Sequence, residues 1–199
     1  DLGFAFPDEK PVFQGFSLTV RPGEHVALIG GSGTGKTVLM SLLAGLLVPT
    51  AGRIEINGQT LAPDTVRALR ERMAWMGQRA HVFAAPVRDN IALGRPGVDD
   101  ERVRQAHPGI SLGEGGTGLS GGEAARLALA RLMAAPEADL LLADEPTAHL
   151  DSETADQVAE SLVTLARGRT LIVATHDPRL AARMDRVVQL PTPDPEAAA

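Results

Sequence analysis

Short apolar runs alternate with amphipathic stretches along most of the chain, and this alternation predicts an α/β fold. We expect strands at 14–20, 25–29, 53–56, 73–76, 140–143, 170–174 and 186–189. Several of these runs are apolar at nearly every position, which is typical of parallel strands covered on both faces. Helical spacing follows Lys36 and recurs over 101–106, 121–135 and 152–166. The order of elements therefore predicts a parallel sheet between layers of helices.

The region from 79 to 136 differs from the rest, because it has little strand character and is rich in glycine between 108 and 122. We interpret it as a helical lobe inserted into the α/β core, which continues over 137–190. On its last helix, Ala125, Leu129, Leu132 and Met133 are spaced as a core-facing stripe, with Arg126 and Arg131 expected to face solvent.

Composition narrows the functional classes. The chain has 199 residues and no cysteine, which excludes disulfides, thiolate metal sites and cysteine nucleophiles. The net charge of -6 argues against a broad nucleic-acid-binding surface, so no nucleic-acid partner is expected. No apolar stretch has the length of a membrane helix, and no secretory signal is visible. The chain begins without Met, almost inside a strand pattern, so we expect a piece of a longer polypeptide; residues 191–199 are expected to form a disordered tail.

Residues Gly30 to Thr37 carry the strongest chemical signal. They read Gly-Gly-Ser-Gly-Thr-Gly-Lys-Thr, the G-x-x-x-x-G-K-[ST] pattern, between an apolar run and a helical pattern. Glycines let backbone N–H groups surround phosphates, Lys36 can reach the β- and γ-phosphates, and the Thr37 hydroxyl can ligate Mg²⁺. The residues expected to contact a nucleoside triphosphate are Gly31, Ser32, Gly33, Thr34, Gly35, Lys36 and Thr37. The alternative is a chance match.

Two carboxylates follow the apolar run 140–143. Asp144 comes at the carboxyl end of a predicted strand, where ligands bind in open α/β folds, and could hold Mg²⁺. Glu145 could face an attacking water as a general base. The alternative is a turn capped by acidic residues before Pro146.

Leu119-Ser120-Gly121-Gly122-Glu123 opens the last helix of the lobe with a serine at the N-cap position and two glycines. This predicts a second phosphate-binding helix end, and its alternative is an ordinary serine-capped helix. One triphosphate cannot easily use two such sites on different lobes of one chain. We therefore expect two chains arranged head to tail.

These motifs together resemble the nucleotide-binding domain of ABC transporters over essentially the whole chain. The corresponding segments are Gly30–Thr37 (Walker A), Gln78 (Q-loop), Leu119–Glu123 (signature), Asp144 and Glu145 (Walker B), Ala148–Asp151 (D-loop) and His176 (switch histidine). The resemblance implies a P-loop NTPase, RecA-like parallel core with an antiparallel β subdomain within 1–78 and an unusually short helical lobe. It also implies ATP hydrolysis, with ATP and Mg²⁺, at the cytoplasmic face of the plasma membrane.

The resemblance assigns further roles. Ser120, Gly121, Gly122 and Asp151 would complete the ATP site of a second nucleotide-binding domain, in a homo- or heterodimer. Phe6 would stack on adenine, with a plain core phenylalanine as the alternative.

Two other residues receive roles in the same way. Gln78 would touch Mg²⁺ and sense a membrane-spanning partner domain, unless it is a solvated turn residue. His176 would contact the γ-phosphate, unless it is a structural histidine.

Residues 78–96 and Gly113–Gly116, which include Glu114, are similar to the exporter branch of the family, and 11–23 and 168–190 are similar to subunits of the exporter needed for cytochrome bd assembly. Departures are Glu123 where Gln is usual, Gly31 where Pro is common, and a short lobe. Two other hypotheses stay open: a degenerate, nucleotide-gated regulatory half of a heterodimer, and a soluble ABC ATPase that acts on DNA or ribosomes.

Overall fold

The computed structural model describes residues 1–78, 81–93, 98 and 120–191. Its centre is a five-stranded parallel sheet in the order β6-β7-β8-β3-β9. The strands are β1 (Leu2–Phe4), β2 (Phe13–Phe16), β3 (His25–Ile29), β4 (Glu55–Ile56), β5 (Gln59–Thr60), β6 (Met73–Met76), β7 (Leu140–Asp144), β8 (Thr170–Ala174) and β9 (Arg186–Gln189). The predicted α/β fold with a parallel sheet is confirmed.

The helices lie on both faces of this sheet. They are α1 (Lys36–Leu43), α2 (Val66–Glu71), α3 (Val87–Ala92), α4 (Gly121–Met133), α5 (Ser152–Leu165) and α6 (Pro178–Ala181). Strand β7 shows why both faces are apolar: Leu140 and Leu142 pack with α1, whereas Leu141 and Ala143 pack with α4 and α5. Alternate side chains of a strand point to opposite faces, so a strand between two helical layers must be apolar throughout.

The antiparallel part consists of two small sheets. Strand β1 pairs with β2 through Leu2–Phe16 and Phe4–Phe13, and β4 pairs with β5 in a two-residue ladder. The predicted strand 14–20 is observed only as far as Phe16. Residues 17–20 keep the alternation of apolar and polar side chains and pack partly against the core, but they lie outside a strand. Five short elements were not predicted: strands β1 and β5 and helices α2, α3 and α6. Their two to six residues are too few for a periodic pattern.

Helix α4 departs from the predicted orientation in two side chains. Met133 is 41% exposed, so its assignment to the core-facing stripe is wrong. Arg131 is half-buried instead of facing solvent freely: its Nε donates to the carbonyl of Asn90 at 2.8 Å and its Nη2 to the carbonyl of His81 at 2.6 Å. Burial lowers the pKa of this guanidinium from its ordinary value. The reason is that α3 covers this face of α4, through Ile91 and a third apolar cluster.

Several predictions lie outside the described residues. They are the helix 101–106, the segment Gly113–Gly116 with Glu114, residue Leu119 of the signature, and most of the tail. The division into 1–78, 79–136, 137–190 and 191–199 stays a prediction. Within the described residues, no helix combines the length and apolar character that crossing a bilayer requires.

Candidate functional site

The glycine-rich loop connects β3, which lies between β8 and β9 in the sheet, to the N-terminus of α1. Gly33 and Gly35 have φ angles of +80° and +85°, a region that residues with a side chain rarely adopt. A Cβ on Gly35 would also lie 2.5 Å from Cγ1 of Val12. Glycine is therefore required at Gly35 both by its backbone angle and by the closeness of the β1–β2 connection, and the loop is held against the antiparallel part of the fold.

The Lys36 ammonium group lies inside this loop. Its Nζ donates to the carbonyl oxygens of Gly30 at 2.8 Å and Gly31 at 3.2 Å, and it lies 3.9 Å from Oε1 of Glu145. The Thr34 side chain is buried, and its hydroxyl donates to the same Gly31 carbonyl at 2.9 Å. The charge needed for phosphate binding is thus already at the loop, between two carbonyls and a carboxylate.

Asp144 ends β7 with a side chain that is almost fully buried. Within the described residues, its Oδ1 is buried without a hydrogen-bond partner. Burial raises the pKa of Asp144 and the Glu145 charge adds to the rise, whereas a hydrogen bond from Thr37 and the Lys36 charge oppose it. A buried carboxylate oxygen without a partner beside a threonine hydroxyl is a suitable ligand pair for Mg²⁺, which prefers oxygen and keeps several waters. The residues present therefore fit this metal.

Glu145 begins the turn after β7 in a left-handed conformation with φ +49°. Its backbone N–H donates to the Ala174 carbonyl at 2.8 Å, which ties the turn to the end of β8. Its Oε2 accepts hydrogen bonds from the backbone N–H of His176 at 3.3 Å and from Nδ1 of the same imidazole at 2.7 Å. The carboxylate and the histidine, predicted separately, are in direct contact.

A cleft of about 590 Å³ collects most of the predicted site. Its lining consists of Phe6, Glu9, Val12, the loop 30–37, Val38, Gln78, Glu145 and His176. Phe6 also packs edge-to-face on Phe4, with ring centroids 5.0 Å apart, so it lines the cleft and contributes to the core at once. Gln78 is exposed at the cleft. Glu9, Val12 and Val38 were not predicted, since they lie outside the motifs.

The signature residues form the N-terminus of α4 and do not line this cleft. Ser120 is the N-cap, and Glu123 completes a capping box. The Glu123 carboxylate accepts from the Ser120 hydroxyl at 2.7 Å and from its backbone N–H at 2.8 Å. These two hydrogen bonds hold the pKa of Glu123 below its ordinary value. The serine hydroxyl is therefore engaged within its own helix end.

The D-loop lies next to the signature. A Cβ on Gly121 would approach Cδ2 of Leu150 at 3.2 Å, and one on Gly122 would approach Cγ2 of Thr154 at the same distance. Asp151 is the N-cap of α5, where its carboxylate accepts from the Thr154 backbone N–H and hydroxyl, and these bonds lower its pKa. Ser120, Gly121, Gly122 and Asp151 are thus close to one another but separate from the cleft.

Three features of the site have no signal in the sequence. One is the left-handed backbone of Glu145, and another is that of His149, with φ +62°. The third is a contact between the turns after β7 and β8, where the Thr147 hydroxyl donates to Oδ2 of Asp177 at 3.3 Å. A motif specifies residue types and spacing, whereas these features depend on how two turns meet.

A second hollow, of about 650 Å³, lies near the residues that precede β3, β7 and β8. It contains none of the predicted site residues. The two hollows therefore lie at opposite edges of the parallel sheet, and only the one at the carboxyl edge carries the motifs.

Comparison with known families agrees with this geometry. A family model described as ABC transporter matches residues 13–148, more than half of the chain. The chain belongs to the ABC transporter family. It is an ATP-binding and ATP-hydrolysing domain of that family, and its relatives include exporters.

Two curated relatives illustrate this. The ABC ATPase is 36% identical over 202 residues to the glutathione/L-cysteine transport system ATP-binding/permease protein CydC of Escherichia coli, covering 94% of this chain and 35% of the relative. It is also 36% identical over 203 residues to the ATP-dependent lipid A-core flippase of Chromobacterium violaceum, with the same coverage. The chain spans about a third of the length of these relatives.

Solved structures give the same fold. A bacterial Atm1-family ABC exporter with ATP bound matches with a TM-score of 0.84 and 31% identity, over 95% of this ABC ATPase and 36% of that chain. A dimeric, post-hydrolysis ATP-binding cassette bound to ADP and Pi matches with a TM-score of 0.79 and 25% identity, over 95% and 90% of the two chains. The predicted P-loop fold and the ATPase assignment are confirmed.

Proposed function

We propose that this ABC ATPase binds ATP in the cleft beside Gly30–Thr37 and hydrolyses it in a head-to-tail pair of domains to drive export. The observation that carries the proposal is the convergence of the loop, Gln78, Glu145 and His176 on one cleft. The volume of the cleft, about 590 Å³, lies in the usual range for small-molecule sites. Phe6 on its wall would stack on the adenine ring.

Hydrolysis of a phosphoanhydride depends on positioning and on charge stabilisation more than on covalent chemistry. Lys36 and the backbone N–H groups of Gly31–Thr37 would bind the phosphates, with Lys36 exchanging its carbonyl contacts for phosphate oxygens. Asp144, Thr37 and Gln78 would hold Mg²⁺, supported by the unpartnered Oδ1 of Asp144. When bound, the metal ion neutralises charge that develops on the phosphate oxygens.

Glu145 is the proposed general base or water-orienting group, because its carboxylate reaches the cleft and is fixed by His176 through a 2.7 Å contact. His176 would contact the γ-phosphate. The side chain of His176 is 68% exposed, so it can meet a ligand in the cleft while it keeps Glu145 in position. This paired arrangement favours hydrolysis over the alternative of a degenerate regulatory half.

A second domain is required because Ser120, Gly121, Gly122 and Asp151 do not line the cleft of their own chain. In a head-to-tail pair, these residues would lie over the nucleotide held by the partner. The similarity to a dimeric ATP-binding cassette supports this arrangement. The partner would be a second copy or a related domain.

The proposed export role rests on a relative whose name, ATP-binding/permease protein, puts both parts in one protein. The chain spans about a third of the length of this relative, so a membrane-spanning domain is the proposed partner. The ATPase domain would lie at the cytoplasmic face of the plasma membrane, where ATP is available.

The deciding experiment is Glu145→Gln. The variant should retain ATP affinity, because the amide keeps the size of the side chain, and lose turnover by at least about 100-fold, because it cannot accept the proton. Under Mg-ATP it should accumulate as a dimer in sizing chromatography, whereas Glu153→Gln, an exposed acid on α5, should behave as the unmodified chain. Hydrolysis by Glu145→Gln at the normal rate would refute this role of Glu145.

A further inference from the structure

His176 has a position that its own packing cannot explain. Its side chain is 68% exposed, yet its Nδ1 lies 2.7 Å from Oε2 of Glu145. An exposed side chain has several rotamers available, and holding it in one of them needs a fixed backbone. The next residue, Asp177, holds this backbone through the hydrogen bonds of its side chain.

Asp177 connects the turn after β8 to three neighbours. Its Oδ1 accepts from the Arg179 backbone N–H at 2.9 Å, which caps α6, and its own N–H donates to the Thr175 hydroxyl at 3.0 Å. Its Oδ2 accepts from the hydroxyl of Thr147 at 3.3 Å. One carboxylate therefore serves both a helix cap and a cross-link to another turn.

Thr147 is the other half of this cross-link. It is buried and lies two residues after Glu145, in the turn that begins with a left-handed backbone. Thr175, which receives the Asp177 N–H, is fully buried as well. The Thr147–Asp177 bond thus joins the turn that carries Glu145 to the turn that carries His176, through groups with little freedom to move.

We infer that Thr147 and Asp177 are positioning residues for hydrolysis: their bond sets the distance between Glu145 and His176. This inference rests on the proposed function, since it assigns Glu145 and His176 their roles. Neither Thr147 nor Asp177 lines the nucleotide cleft. Both act through the two residues that do.

A purely structural role would also make Asp177 important, because it caps α6. Two substitutions separate the roles. Thr147→Val removes the hydroxyl and leaves the cap intact. Asp177→Ser keeps a good N-cap residue but has a side chain too short to reach Thr147. Each variant should lower kcat roughly tenfold and keep the KM for ATP within about twofold of that of the unmodified chain. The kcat of the double variant should be no lower than that of the slower single variant.

Two control variants bracket this result. Thr147→Ser restores a hydroxyl and should recover most of the rate. Asp156→Asn removes a different acidic partner of Arg179, 3.5 Å from its Nη1, without touching the cross-link, and should leave the rate unchanged. If Thr147→Val and Asp177→Ser hydrolyse ATP as fast as the unmodified chain, the inference is overturned.

A spectroscopic readout keeps the test independent of hydrolysis. In the protein labelled with ¹⁵N-histidine, the NMR signals of the His176 ring report its hydrogen bond to Glu145. These signals are assigned by their absence in His176→Gln. Thr147→Val should move them towards those of a solvated histidine, and Asp156→Asn should not. If the unmodified chain fails to hydrolyse ATP, the proposed function fails, and these signals still decide on the cross-link. Unchanged signals in Thr147→Val would refute it.

Discussion

The two regions of this ABC ATPase that we propose to bind phosphate differ in how their polar groups are arranged in the single chain. At the Walker A loop, the Lys36 ammonium group and the Glu145–His176 pair converge on one cleft. At the signature, the Ser120 hydroxyl is hydrogen-bonded to Glu123 at the end of its own helix. The first region is assembled within one chain. In the second, the Ser120 hydroxyl would have to leave Glu123 before it could donate to a phosphate, which suits a site that acts only when a partner arrives.

The strongest test of this contrast is Lys36→Ala. Loss of the ammonium group should weaken ATP binding to the single chain by about 100-fold, or about 3 kcal/mol, because charge-assisted contacts to phosphate are the strongest in such a site. Titration with ATP and Mg²⁺ measures this. Lys10 is the other lysine of the chain and does not line the cleft, so Lys10→Ala is the matched control. Equal affinities in both variants would contradict the assignment of the loop.

Substitution of Ser120 in the signature should weaken pairing of two chains and leave ATP binding to the single chain unchanged. Ser120→Gly removes the hydroxyl and keeps most of the N-cap, whereas Ser120→Ala removes both and should also lower stability by about 1 kcal/mol. In a Glu145→Gln background, both variants should weaken Mg-ATP-dependent pairing about tenfold while the single chain binds ATP normally. Sedimentation at several concentrations measures the pairing. If Ser120→Ala lost pairing and Ser120→Gly did not, the loss of the helix cap would be the cause.

Asp144→Asn tests the buried carboxylate at the end of β7. Because burial raises the pKa of Asp144, its charge destabilises the ligand-free fold at neutral pH. The amide should therefore raise stability by about 1 kcal/mol and reduce the stabilisation given by Mg-ATP.

The pH dependence follows from the direction of that shift. The folded protein holds the Asp144 proton more tightly than the unfolded chain, so the penalty is absent in acid and develops as pH rises through the folded pKa. Melting curves from acidic to neutral pH should show the advantage of Asp144→Asn growing with pH. A constant difference would mean that the charge is not its cause.

The smallest effect is expected for Glu123→Gln. The amide removes a negative charge from the helix end and leaves the Ser120 hydroxyl more available, so pairing in the Glu145→Gln background should tighten by roughly threefold. Glu153→Gln removes a comparable charge from the first turn of α5 and serves as the control. Weaker pairing in Glu123→Gln would show that the capping box prepares the signature instead of restraining it.

Sequence reasoning succeeded where chemistry needs fixed residue types at fixed spacing. The strands at 25–29, 73–76, 170–174 and 186–189 and the loop between β3 and α1 were predicted at their observed positions. It failed for Arg131, because the spacing on α4 cannot reveal that α3 covers one of its faces. It also failed for Met133, which is exposed. The Thr147–Asp177 bond joins residues 30 positions apart and follows from the way two turns meet.

Strands β7 and β8 are paired so that Asp144 stands opposite Ala174 at the last rung of their ladder. Glu145 leaves the end of one strand, and His176 follows two residues after the end of the other. A shift of the pairing by one residue would move one side chain by about 3.3 Å relative to the other and exchange the side chains that pack against the two helical layers. The contact between Glu145 and His176 is therefore inherited from the backbone pairing of the sheet, and the same leucines that exclude water from the interior also keep these two side chains within reach of each other.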